Sequence, residues 1–206
     1  MKLTRSIIII FTTLAFCAAF AQEATKGLRV AILPIQHMSG EKWEELRNNQ
    51  VAKGEAHLNE EFGKRGFTLI EPSAIASALD ELKIDLTDEE QHRRAVLTDI
   101  AKKLDADFIY FGVITQTSQS MTNNLFSQKR RGKTTVKMWL LDVKNGEIIL
   151  SAKSVEGESS AGTLHGLLGK GSDRQIQATA NAIGEGLKDF FAKYPVKGAS
   201  DVYGNR

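Results

Sequence analysis

Phe108 to Ile114 reads FIYFGVI, seven residues with apolar side chains on both alternating faces around Gly112. A strand with one wet face alternates apolar and polar residues, whereas a strand covered on both sides reads as a continuous apolar run. Leu28 to Ile35 (LRVAILPI) has the same character, broken only by Arg29. Two such strands need helices on both faces of one sheet. Pro34 has no N–H to give to a ladder, so the first strand should stop pairing there or lie at an edge.

The stretch between them supplies the helices. From Asn48 to Arg65, Val51, Gly54, Leu58 and Phe62 recur at three- and four-residue spacing, and Gly66 follows as a C-cap. Phe67 to Ile70 reads as a short strand. Pro72 suits the first position of a helix, where its missing N–H costs nothing, and Ile75, Leu79 and Leu82 give that helix its stripe. Thr87-Asp88-Glu89-Glu90 matches a capping box ahead of a third helix carrying Val96, Ile100 and Leu104 inward.

Beyond FIYFGVI the pattern changes. Thr134 to Val143 and Ile148 to Val155 are strand-like, and Asn145-Gly146 between them predicts a type I′ hairpin turn. Ile176, Ala180, Ile183, Leu187 and Phe190 mark a last long helix with Asp173 as its N-cap. The expected fold is α/β: one three-layer domain with a mixed sheet, parallel in its early strands and closed by an antiparallel hairpin. The domain should span 28 to 194, after a leader at 22 to 27 and before a flexible tail at 195 to 206.

The N-terminus predicts export. Lys2 and Arg5 precede an apolar run from Ile7 to Phe20 that closes on Ala19-Phe20-Ala21, the three parts of a cleavable signal peptide. A spanning helix wants about 20 apolar residues, more than this run offers. Cleavage after Ala21 would leave Gln22 first, with the protein in the periplasm or outside the cell. Cys17 offers a second route, a lipoprotein anchored in the outer membrane, but Phe16 stands where a lipobox wants Gly, Ala or Ser. Cys17 is the chain's one cysteine, so cleavage after Ala21 leaves no thiol or disulfide. Loss of Lys2 and Arg5 takes Lys plus Arg from 27 to 25, equal to Asp plus Glu at 25. A neutral exported chain lacks the concentrated basic surface of a nucleic-acid binder.

Candidate chemistry is sparse. His37, His57, His92 and His165 lack the close spacing of a zinc site. His57 and Glu61, four apart on one helix, read as an exposed polar pair. Gly166, Gly169 and Gly171 around Lys170 match neither a Walker A loop nor G-x-G-x-x-G, and read as a connection into the last helix. No G-x-S-x-G elbow occurs. Asp105 and Asp107 fit a turn before a buried strand better than an acid/base pair. No cofactor and no metal are expected. The segment Thr115 to Lys133, rich in Thr, Ser, Gln and Asn, is either a long hairpin arm or a disordered loop. Its end carries Lys129, Arg130, Arg131 and Lys133, which could meet an acidic partner or lipid headgroups, or simply guard a sheet edge.

Several pieces in order resemble one superfamily: VAILPI (30–35), GKRGFTLIE (63–71), ALDEL (78–82), LDADFIYFGVI (104–114) and VKMWLLDVKNGEII (136–149). They resemble the domain shared by the curli-secretion channel protein (CsgG-like) and LpoB-type activators of penicillin-binding proteins, and more distantly the N-terminal domain of TolB. The likeness covers about Leu28 to Val155 and extends to the last helix. It implies an α/β fold, an envelope setting and a non-enzymatic role. Glu71-Pro72 stands where relatives carry Glu-Arg. The membrane-inserting hairpins of the channel members need alternating apolar strands of about 9–11 residues, whereas Thr115 to Lys133 offers only Met121, Leu125 and Phe126. The resemblance therefore implies the fold and compartment without the pore.

The expected function is that of an exported, non-enzymatic envelope accessory protein acting by protein–protein binding, with Thr115 to Lys133 and Glu156 to Ser172 as irregular, adaptable surfaces. The alternative is a periplasmic small-ligand binder or hydrolase built on Asp105 and Asp107 or on the Gly166 to Gly171 loop. Partner identity and self-association are left open by the sequence.

Overall fold

The computed structural model describes residues 27–123, 127–164 and 173–196. The signal segment, Cys17, His165, the Gly166 to Gly171 loop and the tail beyond 196 lie outside the described residues.

Strands β1 (Arg29–Ile32), β2 (Gln36–His37), β3 (Thr68–Leu69), β4 (Phe108–Asn123), β5 (Ser127–Asp142) and β6 (Glu147–Leu164) form one mixed sheet. Its order is β3-β1-β4-β5-β6, with β2 pairing to β4 further along. β1 lies parallel to both neighbours, Val30 opposite Leu69 and Phe108. β4, β5 and β6 run antiparallel. The helices are α1 (Glu44–Lys64), α2 (Pro72–Glu81), α3 (Arg94–Lys103) and α4 (Asp173–Ala192).

The two-faced apolar strands do what their composition requires. Val30, Phe108, Tyr110 and Ile114 turn to α1 and α4, where Leu58, Phe62, Ile183 and Leu187 meet them. Ala31, Ile109, Phe111 and Val113 turn the other way, to Ile75 of α2 and Leu97 and Ile100 of α3. β1 ends at Ile32, just before Pro34. The turn before β4 fixes both strand starts: the Arg29 N–H donates to Asp107 Oδ2 at 2.8 Å, and the Arg29 guanidinium pairs with Asp105.

Several local expectations need correction. α1 starts at Glu44, four residues early, and buries Gln50 rather than Val51, because the amide finds partners inside. The strand expected at Phe67 to Ile70 shrinks to Thr68–Leu69. Leu82 lies past the last turn of α2 and is 37% exposed; Ala78 faces the core instead. Thr87 caps nothing. Its hydroxyl donates to Asp85, while Asp88 accepts from the Glu90 N–H to cap a single 3-10 turn at Glu89–Gln91. α3 begins only at Arg94, and its inward row is Leu97, Ile100 and Ala101, with Val96 half-buried. Ile176 is likewise half-buried on α4, where Gln175 and Thr179 point inward.

The β5–β6 hairpin is present, but its turn is not type I′. Asp142 pairs with Glu147 across a four-residue connection. Gly146 has φ of 68°, and Asn145 is not among the positive-φ residues. Asp142 takes over the work of the turn by accepting from the Asn145 N–H (2.9 Å) and side-chain amide (2.8 Å).

Candidate functional site

The open alternative at Thr115 to Lys133 resolves as an arm. β4 continues to Asn123 and β5 begins at Ser127, in register from Gln116↔Thr135 to Asn123↔Gln128 after a bulge at Ile114/Gln116. β6 runs alongside to Leu164, so Glu156 to Leu164 is a strand rather than an irregular surface. The arm adds about eight residues per strand beyond Ile114, on the order of 27 Å at strand rise.

One face of this arm is covered over its root, while Met121 further out on that face is 53% exposed. α4 lies on it so closely that a Cβ at Gly132 would stand 2.5 Å from Gln175 N, and one at Gly157 would stand 2.8 Å from Ala182 Cα. Glycine is what lets helix backbone rest on strand backbone there. Beside this contact sits a buried polar junction. Gln50, 0% exposed, shares its two amide protons among Thr134 Oγ1 (3.1 Å), Thr117 Oγ1 (3.2 Å), Thr179 Oγ1 (3.2 Å) and the Gln175 carbonyl (3.4 Å). The Thr134 and Thr179 hydroxyls both donate to that same carbonyl. Gln50 Oε1 lies 3.0 Å from His37 Nε2, which fits a neutral ring with its proton on Nε2. Burial holds the His37 pKa below the usual histidine value. α1, β2, β4, β5 and α4 are thus joined at the root of the arm by one hydrogen-bonded cluster.

The opposite face is wet. Gln116, Ser118, Ser120 and Thr122 of β4, Lys129 and Arg131 of β5, and Glu156 and Glu158 of β6 are exposed. The four basic residues therefore sit on a central strand, not on a loop tip, because β4 and β6 pair β5 on both sides. Strand alternation splits them: Lys129, Arg131 and Lys133 share the outer face and Arg130 takes the inner one. Arg131 pairs with Glu158 at 2.6 Å and Lys133 with Glu156 at 2.8 Å. That hydrogen bond raises the Lys133 pKa. Lys137 continues the row over the Trp139 ring, 5.3 Å from its centroid. The sequence separates these positions only once the segment is known to be a strand.

Asp105 and Asp107 are occupied by Arg29 and the strand start, and Asp105 has φ of 51°, as a turn residue does. His92 is a core residue, packed at a tilt against Phe111 and edge-on against Trp139, and bonded to the Leu86 carbonyl at 2.8 Å. His57 is half-buried, its pKa lowered by desolvation. Glu61 is engaged by Arg65 at 2.7 Å, so the His57–Glu61 pair carries no separate chemistry. Among the described residues no His, Cys, Asp and Glu gather into a group that could hold a metal. No described helix is long and apolar enough to cross a membrane.

A second feature went unseen in the sequence. A cleft of about 330 Å³ opens where β1 and β3 end, walled by Ile32, Leu69, Ile70 and Ile75 and lined also by Glu55, Asn59 and Glu71. Its residues come from four separate elements, so no local motif announces it.

The fold and arm together define an α/β domain with a three-stranded antiparallel extension. No protein-family description matches the chain, and no curated protein matches it. Among solved structures it is similar to the LpoB C-terminal domain from Salmonella enterica, at 16% identity over 66% of this chain and 84% of that one, TM-score 0.39. The LpoB C-terminal domain from Escherichia coli stands at 18% identity, 66% and 85% coverage and TM-score 0.38. Lipoprotein GNA1162 from Neisseria meningitidis stands at 10% identity, 79% and 99% coverage and TM-score 0.43. These are loose likenesses, and they lend the curli-channel and TolB resemblances no support. The architecture rests on the chain's own strand order and packing.

Proposed function

We propose that this protein is an exported, non-enzymatic accessory factor of the cell envelope that works by binding another protein through the outer face of its antiparallel arm. The observation that carries the reading is the arm itself. Three long strands are backed over their root by α4 and the Gln50 junction, and their front presents a row of Ser, Thr, Gln, Lys, Arg and Glu side chains. Ordering such a surface in advance lowers the entropy cost of association. A sheet face this polar offers hydrogen bonds and charge rather than apolar area, which suits a reversible contact. The N-terminal signal pattern supports the envelope as the setting, the periplasm after cleavage at Ala21 or the outer membrane through Cys17. LpoB-type resemblance in the sequence motifs points the same way.

Lys129, Arg131 and Lys133 are the partner-facing cations in this reading, while Arg130 serves the inner face. An acidic protein surface fits Lys129 directly and Arg131 and Lys133 by exchange for Glu158 and Glu156, and anionic headgroups would make a weaker second contact. Envelope extract passed over immobilised protein should yield a partner whose recovery falls when Lys129, Arg131 and Lys133 are replaced by Gln. The effect should be larger at low than at high ionic strength. Equal recovery by the variant at low salt would overturn the assignment of these residues.

A further inference from the structure

We infer that the cleft at the ends of β1 and β3 is a binding site for a small organic cation with an apolar body, such as an alkylammonium group. Three independent observations converge on it. The first is topological. β1 hands the chain to α1 on one face of the sheet, and its neighbour β3 hands it to α2 on the other. Adjacent parallel strands whose connections leave to opposite faces open a crevice beyond their carboxyl ends, the usual ligand position in open α/β sheets.

The second is the crevice itself. It holds about 330 Å³ between Ile32, Leu69, Ile70 and Ile75, within the range of small-molecule pockets. Apolar walls of that kind favour a hydrocarbon body over a fully polar solute.

The third is charge. Glu55 from α1 and Glu71, the residue that caps α2, line the same cleft, and among the described residues no basic one does. Glu55 is oriented: its Oε1 accepts the Ile35 N–H at 3.1 Å, and Oε2 makes no hydrogen bond with any described residue. Glu71 makes no side-chain hydrogen bond or ion pair among the described residues. Pro72, at the first turn of α2, has no N–H to offer an anion. Two carboxylates lining an apolar slot select an ammonium and repel a carboxylate. This site is separate from the arm, so neither reading depends on the other.

The test is a titration of isotope-labelled protein at neutral pH with n-hexylamine, 1-hexanol and hexanoate, followed by amide chemical shifts. Hexylamine should bind saturably, moving Ile32, Leu69 and Ile75, and more tightly than the other two. Glu55→Gln keeps an oxygen for the Ile35 N–H, and Glu71→Gln alters an exposed side chain, so both should fold. Each should weaken hexylamine by about five-fold while leaving hexanol unchanged. Hexanol or hexanoate binding as tightly as hexylamine, shifts scattered away from the cleft, or unchanged hexylamine affinity in both variants would overturn the inference.

Discussion

Gly157→Ala is the sharpest probe of how the arm is held. In isolation, adding one methyl to a strand glycine should help by roughly 0.5–1 kcal/mol, because glycine loses more backbone freedom on folding than alanine. Here the new Cβ would stand 2.8 Å from Ala182 Cα and against the backbone of Ala178 as well. Carbon atoms rest at about 3.5–4.0 Å, so α4 would have to withdraw by roughly 0.7 Å or more. The obstacle is helix backbone, so no rotamer change relieves it. A gap of that size forfeits a quarter to a half of each dispersion contact along Ala178, Ala182, Ile183 and Leu187. Overpacking of this kind costs about 1–3 kcal/mol, which outweighs the entropic gain. Gly157→Ala should therefore lower stability by about 1–2 kcal/mol. Gly63→Ala is the control. Gly63 lies in α1 with nothing within 4 Å of its would-be Cβ, and the change should raise stability by up to about 1 kcal/mol. Urea midpoints decide the matter. A Gly157→Ala midpoint equal to or above wild type would refute the close packing of α4 on β6.

Three further outcomes follow from single residues. The Tyr110 hydroxyl is fully buried with no hydrogen-bond partner among the described residues, and burial pushes its pKa far up; Tyr110→Phe should be neutral or stabilising by up to about 1–2 kcal/mol, and a clear loss in urea midpoint would reveal a partner. Gly146→Val should cost about 1–3 kcal/mol through its φ of 68°, and an unchanged midpoint would contradict the turn. His37 and His57 both titrate below the usual value through desolvation, so the unfolded chain binds protons more readily. Their contribution is complete above about pH 6.5 and declines as pH falls from there through the folded values. Midpoints at pH 7.5, 6.5 and 5.5 should therefore fall in that order, and less steeply in a His37→Asn, His57→Gln double variant. Stability that rises toward pH 5.5 would contradict this.

What could be read from the sequence was whatever local composition decides. FIYFGVI and LRVAILPI declared a sheet covered on both faces, and the helices between them fixed parallel pairing, because a buried strand needs apolar residues at every position. Gln50 was illegible for the opposite reason. Its partners Thr117, Thr134, Gln175 and Thr179 come from distant parts of the chain, so a glutamine on a helix face reads as solvent-exposed. The arm was half legible. Ser, Thr and Gln at Gln116 to Thr122 suit either a wet strand or a loop, and only pairing with β5 separates the two. The glycines at 132 and 157 carried no sign of close packing because the helix backbone they admit is remote in sequence. The cleft had no signature at all, since strand order rather than any motif creates it.

The central claim is that the outer face of the arm is where another protein binds. Photo-crosslinking amino acids placed singly at Ser118 and Ser120 on that face, and at Asp99 on exposed α3 as a control, test it most directly in the cells that make the protein. Ser118 and Ser120 should give the same discrete adduct, Asp99 should not, and the adduct should weaken when Lys129, Arg131 and Lys133 become Gln. An adduct of equal yield from Asp99, or none from either arm position, would contradict the account.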